Sequence, residues 1–560
     1  MSTQLLPPAS SAISCWELAG FSLSDALEKY LALSENLGNK ALLENIPPLQ
    51  LTARIDSALQ SLHTNLSRKF NLTHSTLART RNCFASRSYC LPREILTEIF
   101  LDVVYSSIDQ LHPASMETTL LQMFRSLSSL QQVCRVWREI IVTRGTFWHF
   151  APVYCTVTPD LRCTQAPNLA LERSNGNLYL AAVMKLNIPG LLRTLPISPR
   201  IRKANIVAES YFAIQDFIKA ILDSNPPATM SELSLYVERD HNGPSHNFVR
   251  ILSGNSHEWG SFCEFLNSLS VLRVRGAHFD WTNMTFSHRL VEICIQDVMM
   301  GSDTGDFVQF LRNLSLAPNL RDLKLVSVSS SFDRMFLRIA SAEKKIQFPS
   351  LESLLLADLP CNTLITAVFY IAPGSHTRTL YLTERCIQPV DHPYETIDFE
   401  VLFDNLEVEQ VDTLALSGEC IHDWLPISDL PTILCSVPEL KSLKLSGWTL
   451  GERECSAIAN TKVEGSGSDA RKFPELAYLD LSRARIRDEE WLKQVVISHP
   501  IQRMVLGGSI LKDNGGTPKF EPLQSNDPIV EWLGLNVPDF TLVDDEAQPA
   551  EFSCFVWQLW

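Results

Sequence analysis

A repeated pattern of apolar positions runs through the C-terminal part of the chain. The unit is Leu-x-x-Leu-x-Leu, and it first occurs, with Met in the leading position, at Met230. Its second apolar position falls at residues 233, 272, 293, 323, 354, 380, 414, 443, 479 and 504, a mean spacing of about 30 residues. The last two apolar residues of a unit lie two apart, so both point to the same side of a short strand. One strand cannot bury its apolar side alone, and the pattern predicts stacked units over residues 201–545.

The segments between these strands predict outer helices. Residues 306–316 and 430–437 carry apolar residues at helical spacing. Three units are near copies in which Phe or Val precedes Pro, at 348–351, 437–440 and 473–476. The arrangement resembles leucine-rich repeats. The Asn that is usual later in such repeats is mostly absent, and the spacing varies from 21 to 39 residues. We therefore expect an irregular leucine-rich-repeat α/β solenoid with uneven loops.

The N-terminal part of the chain follows a helical period. Residues 1–45 mix Ser, Pro and Ala, and we expect them to be partly disordered apart from a short helix near residues 25–35. Residues 46–85 predict an amphipathic helix, because apolar residues are spaced by three or four at Leu51, Ile55, Leu59, Leu62, Leu66 and Phe70. We favour packing of this seam on the following helices or on a self-partner over a dedicated zipper, since it covers fewer than three heptads.

Residues 86–150 contain the most specific motifs. Leu-Pro-Arg-Glu-Ile-Leu at 91–96 and Ile-Phe at 99–100 predict a helix with Pro92 in its first turn, where a missing N–H costs nothing. Val-Cys-Arg-Val-Trp-Arg follows at 133–138, and Phe-Trp closes the stretch at 147–148. Fewer than about 60 residues cannot bury this much apolar surface by themselves. A partner, or the rest of the chain, must cover it.

These motifs resemble the F-box, and the leucine-rich helix before them resembles the corresponding part of fungal F-box-like proteins. The resemblance implies docking to a Skp-family adaptor and, through it, to a cullin. An insertion at 105–125 departs from the family pattern, and whether it permits adaptor binding stays open. We expect Phe100, Val103 and Leu130 in the internal core of the domain. The implied adaptor-binding residues are Leu91, Pro92, Ile95, Leu96, Ile99, Val133, Cys134, Trp137 and Trp148.

Composition and charge narrow the function classes. The chain has 560 residues, of which 45% are hydrophobic and 20% charged, as in folded soluble proteins. Its net charge of −15 argues against nucleic-acid binding. There is no run of about 18 apolar residues, and no Lys or Arg precedes the apolar residues of the N-terminus. We therefore expect neither a membrane span nor a signal peptide, and a cytoplasmic and/or nuclear location.

No catalytic, cofactor-binding or metal site is predicted. The 14 cysteines are scattered and none forms C-x-x-C. The sequence contains neither a P-loop nor a G-x-S-x-G motif. Cys134 is expected to be a buried small side chain rather than a reactive thiolate. We expect that the protein is not an enzyme; a catalytic site hidden on the repeat fold is the least favoured alternative.

Three further segments complete the domain organisation. Residues 151–200 are a connecting region. The acidic run 395–412 contains no Lys or Arg; we favour a solvated face, and the alternative is a docking surface for a basic segment of a substrate. Residues 546–560 form an apolar tail, which we expect to cap the solenoid. The alternative is a partner-binding peptide.

The expected fold is α+β, with an N-terminal helical region containing F-box-like helices followed by the irregular repeat solenoid. The resemblance implies a substrate-recognition subunit of a Skp–cullin–F-box ubiquitin ligase, whose repeat domain binds a protein substrate of unknown identity. The alternative is a non-catalytic interaction scaffold in which the F-box-like helices cap the solenoid.

Overall fold

The structure is a computed structural model. It describes residues 12–85, 91–105, 114–155, 162–174, 176–185, 200–224, 230–238, 250–301, 304–331, 344–390, 410–418, 424–459, 473–512, 518–545 and 547–559. In these ranges the chain is mixed helix and strand, with an N-terminal helical region and a C-terminal sheet. The chain divides into two compact units, Met1–Leu96 and Thr97–Trp560.

The first unit is helical. Helix α1 spans Ala12–Leu43, so the expectation of disorder with only a short helix is wrong for these residues. Helix α2 (Pro48–Ser57) leads through a π turn (Ala58–His63) directly into α3 (Thr64–Ala85). Pro48 is the first helical residue, where its missing N–H is not needed. The hydroxyl of Tyr30 on α1 lies 3.4 Å from the His63 Nε2 in the π turn.

The predicted apolar seam lies on α2, the π turn and α3, and helical spacing is therefore confirmed for it. Its side chains Ile55, Leu59, Leu62 and Phe70 are exposed in the structure. Packing on other helices or on a self-partner stays a prediction.

Four helical segments lead to the sheet. Helix α4 (Arg93–Tyr105) begins in the first unit and ends in the second. In the second unit it is followed by α5 (Met116–Val133), α6 (Arg135–Thr143) and a 3₁₀ turn (Gly145–Trp148).

One sheet contains all the strands that the structure describes in the second unit. Neighbours follow chain order from β1 to β11 and then β13, β14 and β15; β12 pairs with β13 and β16 with β14. All of these pairs are parallel except β14 with β15. The strands are β1 (Phe150–Cys155), β2 (Leu178–Met184), β3 (Ile201–Ala208), β4 (Glu232–Val237), β5 (Val271–Arg275), β6 (Glu292–Gln296), β7 (Asp322–Val326), β8 (Ser353–Ala357), β9 (Thr377–Leu382), β10 (Thr413–Ser417), β11 (Ser442–Ser446), β12 (Thr449–Leu450), β13 (Tyr478–Ile486), β14 (Arg503–Lys512), β15 (Lys519–Pro522) and β16 (Asp539–Leu542).

Helices connect most of these strands, as parallel pairing requires. The predicted helices at 306–316 and 430–437 are present as α10 and α12. The helices are α7 (Arg162–Arg173), α8 (Tyr211–Leu222), α9 (Trp259–Leu266), α10 (Thr304–Ser315), α11 (Cys361–Tyr370), α12 (Leu430–Ser436), α13 (Glu452–Ile458), α14 (Glu489–Ser498) and α15 (Pro528–Asn536).

The repeated pattern predicts the strands correctly. Each of its ten defining positions lies in a strand, and eight of the nine neighbouring positions pair directly across the sheet. The exception is between β8 and β9, where Leu354 pairs with Arg378 and Leu356 pairs with Leu380. The expectation that Leu354 and Leu380 are equivalent is therefore wrong by two residues.

The leucine positions build the main core of the second unit. Leu235, Val274, Leu325 and Leu445 are fully buried on one face of the sheet and belong to a single apolar cluster with the inward side chains of the helices, such as Phe307. The sheet also extends upstream of the pattern. Strand β2, and β1 apart from its first residue, lie within the segment that the sequence analysis treats as a connecting region.

Successive strands end in the same way in the middle of the sheet. Asp297, Ser327 and Asp358 follow β6, β7 and β8 with φ of 50°, 50° and 52°, a region that polar residues such as Asp and Asn enter most easily. Each of their N–H groups donates to a carbonyl of the next strand. These three strands therefore end in the same backbone conformation and with the same kind of hydrogen bond to the next strand.

Candidate functional site

The first F-box-like motif forms the start of α4. The Pro92 carbonyl accepts the Leu96 N–H at 3.1 Å, so Pro92 immediately precedes the first helical residue, Arg93. In the first unit Leu91 and Ile95 are exposed, whereas only 4% of Leu96 is exposed. Leu96 is therefore not accessible to a partner in this conformation.

The continuation of α4 in the second unit has a mixed character. Phe100 is buried, as expected for the internal core. Val103 is 49% exposed, so its assignment to that core is wrong. Ile99 and Val103 lie four residues apart and share one exposed face of the helix.

The second motif forms the junction of α5 and α6. Cys134 is extended and is the N-cap of α6, where its Sγ accepts the Trp137 N–H at 3.5 Å. This capping contact gives Cys134 a structural role. The Trp137 ring packs on the buried Phe100 ring with 4.6 Å between centroids. Trp137 thus ties α6 to α4, and Leu130 is buried in α5 as expected.

Val133 is more exposed than Leu91, Ile95 and Ile99 of the predicted docking set. It ends α5 with 57% of its surface exposed, although it is β-branched and apolar. A side chain of this type on the surface of a small helical domain is available to a partner.

Much of the predicted insertion is regular helix. Helix α5 begins at Met116, and its N-cap Ser115 accepts the Thr118 N–H at 3.3 Å. Residues 116–125 are therefore the first turns of α5. Residues 106–113 lie outside the described residues. The described part of the insertion is therefore mostly helical, which the spacing of the hydrophobic motifs did not reveal.

Trp148 closes the helical segment. Its indole Nε1 donates to the Ile141 carbonyl at 2.8 Å, and the Arg173 guanidinium lies 4.5 Å from its ring centroid. Trp148 is half-buried. These contacts join the 3₁₀ turn to α6 and α7. Trp148 therefore has an internal structural role in addition to the predicted adaptor contact.

A cleft of about 1070 Å³ lies beside these helices in the second unit, lined among others by Tyr105, Arg144 and His149. Burial raises the pKa of Tyr105 and lowers the pKa of His149, so both groups are neutral at pH 7. The Tyr105 hydroxyl donates to the Phe147 carbonyl at 3.3 Å. Tyr105 and His149 therefore have a packing role in this cleft.

The sheet offers a second candidate surface, which the sequence analysis did not identify. Side chains between the paired leucines point away from the helices, because successive strand residues alternate between faces. We call this the polar face and define it by Asn205, Tyr236, Arg273, Arg275, Tyr381, Lys444 and Asp480. The sequence nevertheless carried a signal for the polar face, because each of these residues is adjacent in sequence to an apolar residue of the core.

Ion pairs order part of the polar face. The Arg273 guanidinium donates from Nε and Nη2 to the two Glu292 carboxylate oxygens at 2.8 and 3.0 Å. Arg275 donates from Nε to Asp297 Oδ2 at 2.6 Å, and its guanidinium stacks 4.7 Å from the Tyr236 centroid. Bidentate and stacked arginines of this kind are geometrically specific.

In the described ranges, no three His, Cys, Asp or Glu side chains are grouped so that they could hold a metal ion. No helix of those ranges is long and apolar enough to cross a membrane.

Comparison with known proteins agrees with the motif geometry. No curated protein matches the chain. A family model described as F-box-like matches residues 89–151, which include α4, α5, α6 and the 3₁₀ turn with their exposed apolar residues. Residues 89–151 of this chain are therefore an F-box-like domain.

Proposed function

We propose that this protein is the substrate-recognition subunit of a Skp–cullin–F-box ubiquitin ligase. Its F-box-like domain docks a Skp-family adaptor, which in turn binds a cullin, and its sheet unit holds a protein substrate as an irregular leucine-rich-repeat solenoid. The protein itself performs no chemistry. Such a role belongs in the cytoplasm or the nucleus.

One observation carries the proposal: the F-box-like match at 89–151 coincides with exposed apolar side chains at positions that the family resemblance assigns to adaptor docking. These are Leu91, Ile95, Ile99 and Val133. Protein interfaces obtain most of their affinity from a few side chains of this kind, which become buried on binding. Trp137 and Leu96 are better regarded as internal supports, because Trp137 packs on Phe100 and Leu96 is buried.

A second candidate is a scaffold in which the helices of the F-box-like domain cap the sheet. Two contacts within the second unit favour it. The Met116 N–H, at the start of α5, donates to the Trp557 carbonyl at 2.9 Å. The Glu117 carboxylate lies 2.6 Å from Lys185 Nζ, directly after β2.

The test is co-expression of the full chain with a Skp-family adaptor, followed by pull-down and measurement of affinity. Ile99→Asp and Val133→Asp place a charge at exposed positions, so the fold should be retained while an apolar anchor is lost. We expect at least a 10-fold loss of affinity in each. Ile497→Asp is the matched control, since Ile497 is a 65% exposed helical residue on α14.

The control variant should bind as the wild type does. No adaptor binding by folded wild-type chain would refute the ligase proposal and favour the scaffold. Equal binding by all three variants would show that the docking surface lies elsewhere.

A further inference from the structure

The segment 547–559, called the tail below, lies across the polar face. It starts near β11, where the Lys444 Nζ lies 2.8 Å from the Glu551 carboxylate. Both side chains are about four-fifths buried, with 21% and 19% exposed. Lys444 is a polar-face residue, so this contact of the tail is an ion pair largely shielded from solvent.

Aromatic side chains continue the contact over the centre of the sheet. Phe552 is buried in a small apolar cluster with Val326, Ala357, Tyr381 and Ala415, which come from four different strands. Its ring meets Tyr381 edge to face with 5.1 Å between centroids. The cluster is separate from the main core, because it lies on the opposite face of the same strands.

The end of the tail reaches β5, β4 and β3. The Phe555 carbonyl accepts a hydrogen bond from Arg275 Nη1. The Trp557 Nε1 donates to Asn205 Oδ1 at 2.7 Å, and Asn205 Nδ2 donates to the Gln558 carbonyl at 2.9 Å. The Trp557 ring lies 5.5 Å from the Tyr236 ring. The tail therefore crosses the strands from β11 back to β3.

The tail contacts the sheet through side chains and isolated hydrogen bonds rather than through strand pairing. No residue of 547–559 belongs to a strand, and its own backbone hydrogen bonds include local turns such as Phe552 N–H to Pro549 O at 3.1 Å. The strand ladders beneath it are complete without it. Arg275 also keeps its Asp297 partner independently of the tail.

We propose that the tail is a displaceable occupant of the polar face, and that this face binds a protein segment of the same chemistry. The segment carries a carboxylate followed within about six residues by two aromatic side chains. The carboxylate would pair with Lys444, and the aromatic rings would take the places of Phe552 and Trp557. The inference rests on the proposed function in one respect, since this segment would belong to the substrate.

The experiment uses a fluorescent peptide of residues 547–559 added to the full chain. In the wild type the attached tail competes, and binding should be weak. In full-length Phe552→Ala/Trp557→Ala the attached tail is weakened while the polar face is intact. We expect this variant to bind the peptide at least 10-fold more tightly than the wild type does.

A charge reversal tests whether residue 551 of the peptide pairs with Lys444, as it does in the attached tail. A peptide with Glu551→Lys should bind the tail variant at least 10-fold more weakly than the wild-type peptide does. Adding Lys444→Glu to the chain should restore the binding of this peptide. A peptide of scrambled sequence is the composition control.

Two results would overturn the proposal. One is a folded tail variant that binds the peptide no better than the wild type. The other is unfolding of both this variant and full-length Glu551→Lys, because the tail would then be an integral part of the sheet unit. The adaptor pull-down is an independent readout, so failure of this proposal leaves adaptor binding intact, and failure of adaptor docking leaves peptide binding intact.

Discussion

At the scale of single residues, the polar face contains a carboxyl group in an unfavourable setting. Burial, together with the nearby Glu551 carboxylate, raises the pKa of Asp480 to about 6 against the opposing effect of Lys444 and Arg503. Its Oδ1 is buried without a hydrogen-bond partner. The fold therefore disfavours the ionised form of Asp480 relative to the same group in water.

We expect Asp480→Asn to stabilise the protein more at pH 7.5 than at pH 4.5. Because the folded pKa is raised, the native state binds more protons than the unfolded state between about pH 4 and 6, and stability falls as pH rises through this window. The whole shift in pKa corresponds to about 3 kcal/mol, of which about 2 kcal/mol falls between pH 4.5 and pH 7.5. Urea denaturation at both pH values measures it, and an equal gain at both would contradict this explanation.

Arg378 breaks the repeat at one position. It pairs with Leu354 on the neighbouring strand, so a charged residue stands where the repeat has leucine. Only 4% of Arg378 is exposed, and its Nε and Nη2 have no hydrogen-bond partner. Burial accordingly lowers the pKa of its guanidinium, partly offset by Asp412.

Replacing Arg378 by leucine should stabilise the second unit by about 1–3 kcal/mol, because the desolvation of unpartnered donors is removed. The backbone bond from the Arg378 N–H to Asp412 Oδ2 is retained. Thermal unfolding measures the effect. Arg321→Leu is the control, since Arg321 forms an exposed pair with Glu352 and should change stability by less than about 0.5 kcal/mol. A lower melting temperature for Arg378→Leu would indicate a stabilising role for the charge.

At the scale of elements, the strands were predictable and their register almost so. The slip at β8 and β9 escaped prediction for a definite reason. Strand side chains alternate with a period of two, so a shift of two residues keeps the leucines on the same face and leaves the hydrophobic pattern unchanged. Helix α1 was not predicted for a different reason. Its apolar residues, such as Trp16, Leu18 and Phe21, are exposed on several sides and form no single stripe.

The junction of α5 and α6 gives the prediction at this scale. Trp137→Ala removes the ring that packs on Phe100 and should destabilise the second unit by about 2–3 kcal/mol. Trp137→Phe keeps an aromatic contact and should lose less than half of that. Denaturant unfolding followed by circular dichroism measures both. Equal stability of Trp137→Ala and the wild type would mean that Trp137 is free for the adaptor rather than internal.

At the scale of the whole molecule, the order of helices and then sheet followed from the sequence, because local periodicity determines each. The F-box-like domain was also recognisable, since its motifs are short and contiguous. The path of the tail was not predictable. It depends on contacts such as Asn205 with Trp557, which lie 352 residues apart, and neither partner carries a local signal for the other. From the sequence we expect this segment to cap the solenoid; in the structure residues 547–559 instead cross the polar face from β11 to β3.

The hydrogen bond from the Met116 N–H to the Trp557 carbonyl has a consequence for folding order. Chains are synthesised from the N-terminus at about 5–20 residues per second. The first turn of α5 emerges early, yet its terminal amide gains this partner only after residue 557 has left the ribosome. Contacts of such large sequence separation also form slowly, because a long loop must close first. The start of α5 therefore lacks this partner until residue 557 has been synthesised, and the contact forms later than the local contacts of the F-box-like helices.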